Sequence, residues 1–313
     1  MSSNRIAKKL RYALRWLPDR AYIQLNYFGH FYKFANLENP TTYNEKLNWL
    51  KLHDRNPEYG KIVDKFEVKA YVDKMIGSLQ ENKDWKFGVC DDLIGGRGGG
   101  YCVPTIGVWD SFDDINFDSL PDQFVLKCTH DSEGIVLVKD KSLMDKAAAK
   151  EKITAALRQN FYYIGREWPY KNIKPRIIAE PYLIDDETGE LRDYKFFCFD
   201  GEPKALYIAS DRSIDDVKFD FFDLDFNHLG IKQKYPNAST QIKKPNTFDE
   251  MIELSRKLSK GFAHVRVDLY EVNGKVYFGE LTFYHFSGFM PFQPDKWDKI
   301  FGEWLKLPAA GTT

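Results

Sequence analysis

Apolar and polar positions alternate with a period of two from His264 to Tyr270 and again from Lys275 to Phe283, with Val272-Asn273-Gly274 between the two runs. That pattern predicts a β-hairpin. Opposite residues of a hairpin share a face, so a two-residue type I′ turn at Asn273-Gly274 would set Asp268 against Gly279 and turn Glu280 away. An odd-length loop, a type I turn with Gly274 in a G1 bulge, brings Arg266, Asp268, Glu280 and Thr282 onto one face, and this is the geometry we expect. A second hairpin is predicted from the apolar run Phe124 to Lys127, the small polar tip Thr129 to Gly134, and the run Ile135 to Lys139. A further apolar strand, Arg176 to Leu183, breaks at Pro181 and leads into the acidic loop Asp185 to Gly189. The 3.6-residue spacing of Val63, Phe66 and Ala70 predicts a helix that carries Lys65 and Lys69 one turn apart.

Composition narrows the class of protein. The chain has 313 residues, enough for two or three subdomains around a substantial core. With 45 basic against 46 acidic residues, the balance argues against a general nucleic-acid binder. Aromatic residues make up 16%, most of them expected in the core, although sugars also favour aromatic platforms. Cys90, Cys102, Cys128 and Cys198 show no Cys-x-x-Cys spacing; Cys128 and Cys198 read as buried thiols, and Cys90 and Cys102 flank a glycine run and could pair. No signal peptide or membrane-spanning stretch is evident, so the expected location is the cytoplasm. The first twenty residues depart from the even charge. Ile6, Leu10, Ala13, Leu14 and Leu17 fall on one helical stripe among Lys8, Lys9, Arg11 and Arg15, which suits either docking on the protein's own domain or contact with the inner face of an anionic membrane.

The chemistry concentrates on the strands. An Arg-x-Asp strand followed by a Glu strand presents two hard oxygen ligands to Mg²⁺, with a guanidinium beside them for a transferring phosphoryl group. The competing reading is an ordinary amphipathic hairpin with its charges in water. Lys127, at the end of an apolar run and beside the tip residues Ser132 and Gly134, suggests an anionic partner that the tip could cover. Around Pro181 the chain offers a purine one backbone acceptor and, at Leu183, one donor. The run Gly95-Gly96-Arg97-Gly98-Gly99-Gly100 matches no phosphate-binding glycine motif and reads as a flexible insertion within residues 78–101.

Taken in order, these pieces resemble the ATP-grasp superfamily, and within it the TupA-like branch linked to teichuronopeptide and other surface-polysaccharide biosynthesis. The phrases that carry the resemblance are Tyr43-Asn44-Glu45-Lys46-Leu47, Asp54-Arg55-Asn56-Pro57, Pro104-Thr105-Ile106-Gly107-Val108-Trp109-Asp110, Gly165-Arg166-Glu167-Trp168-Pro169-Tyr170, Asp193-Tyr194-Lys195-Phe196-Phe197-Cys198-Phe199 and Val265-Arg266-Val267-Asp268-Leu269-Tyr270. Thr282 stands where the superfamily commonly has Asn, and a hydroxyl is a poorer metal ligand than an amide carbonyl.

The resemblance implies an α+β fold in which ATP lies in a cleft between two subdomains with mostly antiparallel sheets. The expected segments are a helical region (1–60), a preceding segment (61–122), a lid subdomain (123–183) and a C-terminal subdomain with the metal site (184–313). It implies a carboxylate–amine ligase that works through an acyl phosphate. Asp268, Glu280 and Thr282 would hold Mg²⁺, and Arg266 would steady the transferring phosphoryl group. Lys69 and Lys127 would hold phosphates under a lid at Ser132 and Gly134. Glu180, Pro181, Tyr182 and Leu183 would frame adenine, one of Asp185, Asp186 or Glu187 would meet the ribose, and Lys195 and Arg166 would contact phosphate or an acidic substrate. The implied partners are a uronic-acid-containing saccharide, free or lipid-linked, and an amino acid or other amine. Two rivals remain: a glycosyltransferase using Asp223-Leu-Asp225, and a non-catalytic ATP-binding module.

Overall fold

The computed structural model describes residues 12–76, 100–211 and 216–309. The glycine run up to Gly99, Cys90, Ile6 and Leu10 lie outside those residues. Four helices open the described chain: α1 (Asp19–Phe31), α2 (Tyr43–His53), α3 (Tyr59–Val63) and α4 (Val68–Ile76). A four-stranded antiparallel sheet follows, built from β1 (Gly107–Trp109), β2 (Phe124–Cys128), β3 (Ile135–Val138) and β4 (Ile177–Pro181) in the order β1-β4-β2-β3. Between its last two strands come α5 (Lys146–Leu157) and α6 (Tyr162–Gly165). The second sheet has five antiparallel strands: β5 (Asp193–Phe199), β6 (Glu202–Ser210), β7 (Lys218–Phe222), β8 (His264–Val272) and β9 (Lys275–Thr282), in the order β7-β6-β5-β8-β9. The remaining helices are α7 (Phe248–Ser259) and α8 (Lys296–Trp304). Helices with two antiparallel sheets make the fold α+β, as expected.

Each sheet has its own core. The smaller one buries Phe124, Leu126 and Ala179 against Ala149 and Ile153 of α5. In the larger one β5 is central and covered on both faces, which is why it reads Phe196-Phe197-Cys198-Phe199 without a polar break. Alternation sends Phe196 toward Phe248 of α7, and Phe197 toward Tyr43 of α2 and Phe301 of α8. Burying each such ring contributes roughly 1.5–3 kcal/mol. Helix α2 is started by a capping box, in which the Thr42 side chain accepts from Glu45 N while Glu45 accepts from Thr42 N.

Two local expectations are corrected. The β8–β9 loop is the two-residue turn: Val272 pairs with Lys275, and Asn273 (φ 50°) and Gly274 (φ 74°) are both left-handed. The extra residue sits inside β9 instead. Leu269 pairs with Phe278 and Asp268 with Glu280, so Gly279 is bulged out and the four polar residues still share one face. A Cβ there would lie 3.0 Å from the Asp268 carbonyl and from the Tyr270 ring, a close approach that glycine avoids. Lys65 and Lys69 are likewise not on one helix. Asp64 Oδ1 accepts the N–H groups of Phe66 and Glu67, which ends α3 and turns the chain before α4 begins.

His264 sits under the larger sheet between the Cys198 carbonyl and the Tyr43 hydroxyl, both at 2.8 Å. The carbonyl needs a donor at Nδ1, so Nε2 accepts from Tyr43 and the ring is neutral. Burial, with Arg266 nearby, lowers its pKa to about 3. The unfolded chain takes up a proton below pH 6.5 that the folded chain refuses until about pH 3, so stability falls as pH drops across that window. Urea titrations between pH 6.5 and pH 4 are expected to lose up to about 1.4 kcal/mol per pH unit from this ring, and His264→Gln to flatten the slope; an unchanged slope in the variant contradicts the assignment.

Candidate active site

The polar face of β8 and β9 forms one wall of a cleft. Arg266 makes a bidentate pair with Asp268, Nε to Oδ1 at 2.6 Å and NH2 to Oδ2 at 2.7 Å, and its NH2 also reaches Glu280 Oε1 at 3.3 Å and Thr282 Oγ1 at 3.1 Å. Lys195, opposite Asp268 on β5, donates to Asp268 Oδ2 and lies 3.4 Å from Asp193 Oδ1. Burial opposes the charge on Lys195, but the Asp268 carboxylate outweighs it and raises the lysine pKa. Burial likewise opposes the charge on Glu280, yet Lys195, Lys65 and Arg266 leave its pKa at about 2. Behind the cluster, burial and Arg266 push the His285 pKa well below its usual value. The neutral ring can then accept from Arg266 NH1 at 2.8 Å and donate to Gln233 Oε1 at 2.6 Å, which fixes the guanidinium from the rear.

The facing wall belongs to the smaller sheet and to α4. Glu180 lies between two lysines: Lys69 Nζ is 2.5 Å from Oε1 and Lys127 Nζ 2.6 Å from Oε2. Lys69 also donates to the Val103 carbonyl and to Thr105 Oγ1. Burial alone would raise the Glu180 pKa; Lys127 and Lys69 instead bring it to about 2. Lys65 donates to the Asp131 carbonyl in the hairpin tip and so ties that tip down over the cleft. The cleft encloses about 130 Å³ and is lined by residues from both walls, among them Lys65, Lys69, Lys127, Ser132, Lys195 and Glu280. Small-ligand sites usually hold about 300–1,000 Å³, so the cleft as it stands is smaller than such a site. At the far end Leu183 packs with Val103, Val272 and Tyr277, an apolar patch of the kind a flat base needs.

Not every expected residue lies here. Arg166 is 1% exposed and lies away from the residues that line the cleft: its NH2 donates to the carbonyls of Leu14, Arg15 and Leu17, its Nε is 3.5 Å from Asp19, and it stacks on Tyr22, which anchors the N-terminal segment. Glu187 is exposed and pairs with Lys243 at 3.3 Å, because the Asp185–Thr188 turn carries it away from the cleft. Gly134 donates its N–H to Asp131 Oδ1 and is packed too tightly for a Cβ, which gives it a role in shaping the tip. Pro181 and Tyr182 continue the β4 wall toward Leu183. Reading by sequence alone missed Asp193 and Lys65 as members of the cleft. Asp193 was detectable as the i, i+2 neighbour of Lys195 on one strand face; Lys65 was not, because its direction depends on the Asp64 turn.

Among the described residues no group of three or more His, Cys, Asp or Glu side chains is arranged to hold a metal ion. The two facing carboxylates nevertheless fit Mg²⁺ of the kind that arrives with a nucleotide, which keeps several waters and takes one or two carboxylates from the protein. Glu280 keeps 36% of its side chain exposed to solvent and lines the cleft, whereas Asp268 is fully engaged by Arg266 and Lys195. Thr282 fits poorly, since its hydroxyl already donates to Glu280 Oε1 and accepts from Arg266.

Residues 45–306 match the family of TupA-like ATP-grasp proteins. No curated protein matches the chain significantly. Solved structures with a related arrangement include the D-alanine–D-alanine ligase of Helicobacter pylori, 15% identical over 78% of this chain and 61% of that one with a TM-score of 0.37. They also include the Bacillus anthracis enzyme of the same name, 14% identical over 71% and 56% with a TM-score of 0.35. A third is the ATP-grasp ligase PsnB in complex with Mg and ADP, 9% identical over 80% and 61% with a TM-score of 0.40. The chain thus spans about three fifths of the length of these ligases. With the family match running over most of its length and two antiparallel sheets enclosing a cleft of lysines and carboxylates, the chain belongs to the TupA-like ATP-grasp family.

Proposed function

We propose that the protein is an ATP-dependent carboxylate–amine ligase whose acceptor is a hexuronic acid of a surface polysaccharide and whose donor is an amino acid or another amine. The observation that carries this reading is the pairing of Asp268 with Glu280 on one wall, steadied by Arg266 and Lys195, opposite Lys69 and Lys127 on the other. A carboxylate and an amine in water form a salt and not an amide, so the acid must first be activated. The acceptor carboxylate oxygen attacks the γ-phosphorus and ADP leaves; the amine nitrogen then attacks the acyl carbon, inorganic phosphate leaves, and the nitrogen gives up a proton to form the amide. Lys69 and Lys127 exchange Glu180 for phosphate oxygens. Arg266, held in place by Asp268 and His285, faces the charge that moves onto the bridging oxygen. The hairpin tip around Ser132 excludes water, which would otherwise hydrolyse the acyl phosphate. Mg²⁺, when bound with the nucleotide, would offset the phosphate charge with Glu280 as a protein ligand, and Asp268 as a second one once Lys195 leaves it for a phosphate oxygen.

The glycosyltransferase alternative loses its motif. Asp223 Oδ1 accepts the N–H groups of Asp225 and Asn227 and Oδ2 accepts from the Asn227 amide, so this carboxylate closes a surface turn.

Mg²⁺-dependent ADP release, measured with a hexuronate saccharide and a pool of amino acids, is expected to need both substrates and to fall about 100-fold or more in Glu280→Gln. ATP binding without any ADP release sinks the ligase reading for those substrates. Glu180→Gln leaves Lys69 and Lys127 without their shared carboxylate and is expected to cost about 3 kcal/mol in the empty protein. Added nucleotide should then raise its Tm more than it raises that of the wild type, because the phosphates replace the missing charge; equal Tm values for the empty wild type and variant contradict this.

A further inference from the structure

A larger cavity of about 540 Å³ lies beyond the cleft and has no part in the chemistry above. Its walls include Pro57, Asp64, Glu67, Trp168, Asn172 and Arg176. It adjoins the cleft, since Asp64 is on its wall while the next residue, Lys65, lines the cleft. The lining combines a flat apolar indole with groups that form planar, paired hydrogen bonds. Arg176 holds Glu67 at 2.9 Å and Asp64 at 3.4 Å, which fixes two carboxylates at the cavity wall. Trp168 is itself set by Arg55, which stacks 5.2 Å from the ring centroid and binds Asp19 at 3.0 Å. An apolar ring face flanked by fixed carboxylates and amides complements a sugar, which has one apolar face and a rim of hydroxyls.

We propose that this cavity binds the sugar rings of the acceptor saccharide, with Trp168 as the stacking platform and Glu67 and Asn172 reading its hydroxyls. This rests on the ligase reading of the adjoining cleft, and its test is kept separate by measuring binding without nucleotide. Calorimetric titration with tetragalacturonate is expected to show binding that weakens about tenfold in Trp168→Ala and several-fold in Asn172→Ala, an exposed position with little influence on folding, while ATP affinity stays within about twofold. Failure of the wild type to bind the oligomer, or unchanged binding in both variants, overturns the proposal. ADP release that ignores both substitutions overturns it too while leaving the ligase standing; saccharide binding that depends on Trp168 without ADP release supports the cavity and sinks the ligase.

A second surface rests on different observations. Of the eight large apolar side chains exposed among the described residues, five fall between positions 16 and 34: Trp16, Leu25, Phe28, Tyr32 and Phe34. Leu25 and Phe28 lie at i and i+3 on α1, Tyr32 is its left-handed C-cap, and the Phe28 and Phe34 rings meet at 5.1 Å. The charge of this end is as uneven as its polarity. Residues 1–34 carry seven Lys and Arg against Asp19 alone, in a chain whose net charge is −1, and Asp19 is turned inward to Arg55 and Tyr162.

We infer that this face docks on an anionic lipid bilayer, with the aromatic residues in the headgroup region. Arg166 ties the patch to the strip that ends in Trp168, so docking would bring the cavity close to the membrane. The full-length chain is expected to sediment with phosphatidylglycerol vesicles and about tenfold less with phosphatidylcholine vesicles or at high salt. Trp16→Ser, Tyr32→Ser and Phe34→Ser together, all at well-exposed positions, should abolish the difference. No sedimentation with anionic vesicles overturns the inference, as does a dimer in solution that the triple variant dissociates, because a second copy then covers the face.

Discussion

The Arg266 guanidinium is the constraint on which the site depends. It is buried, and an ion placed there is tolerated only if it is paired and well hydrogen-bonded. Asp268 takes two of them, Glu280 and Thr282 share a third, and neutral His285 takes another from behind. Those partners must lie on one face of two adjacent strands. The Gly279 bulge achieves this by slipping the register one residue without lengthening the turn. One missing side chain therefore decides which way Glu280 points.

Across the cleft the same charge arrangement recurs, two cations on one carboxylate. Glu180 neutralises Lys69 and Lys127, as Arg266 and Lys195 neutralise Asp268. Both clusters are self-paired and hold the cleft narrow at about 130 Å³. A polyphosphate entering between them would exchange partners instead of bringing unpaired lysines into a dry cavity. The tip itself is tied down by Lys65, whose side chain and backbone N–H donate to the Asp131 and Thr129 carbonyls, and by the contact of His130 with the Gln159 carbonyl.

Much of this was legible in the chain. The two hairpins, the strand breaking at Pro181 and the shared face of Arg266, Asp268, Glu280 and Thr282 follow from period-two alternation, which reports which side of a sheet a residue occupies. The bulge was placed at the wrong residue because the same pairing results whether the extra residue sits in the turn or in the strand. Lys65 was assigned to a helix because the Val63–Phe66–Ala70 spacing ignores Asp64, whose side chain competes for the backbone donors. Arg166 and Glu187 were placed by residue type alone. Their destinations depend on long-range packing, in one case on carbonyls some 150 positions earlier. The cavity beside Trp168 had no signal in the sequence, since its walls come from segments more than 100 residues apart.

The central claim is that this cleft transfers the γ-phosphoryl group of ATP to a carboxylate. It is tested most directly by supplying a hexuronate saccharide labelled with ¹⁸O in its carboxyl group, together with Mg²⁺, ATP and the amino-acid pool, and analysing the released phosphate by mass spectrometry. An acyl-phosphate route predicts that each phosphate carries one oxygen from the carboxylate. Phosphate whose added oxygen comes only from solvent water would contradict it.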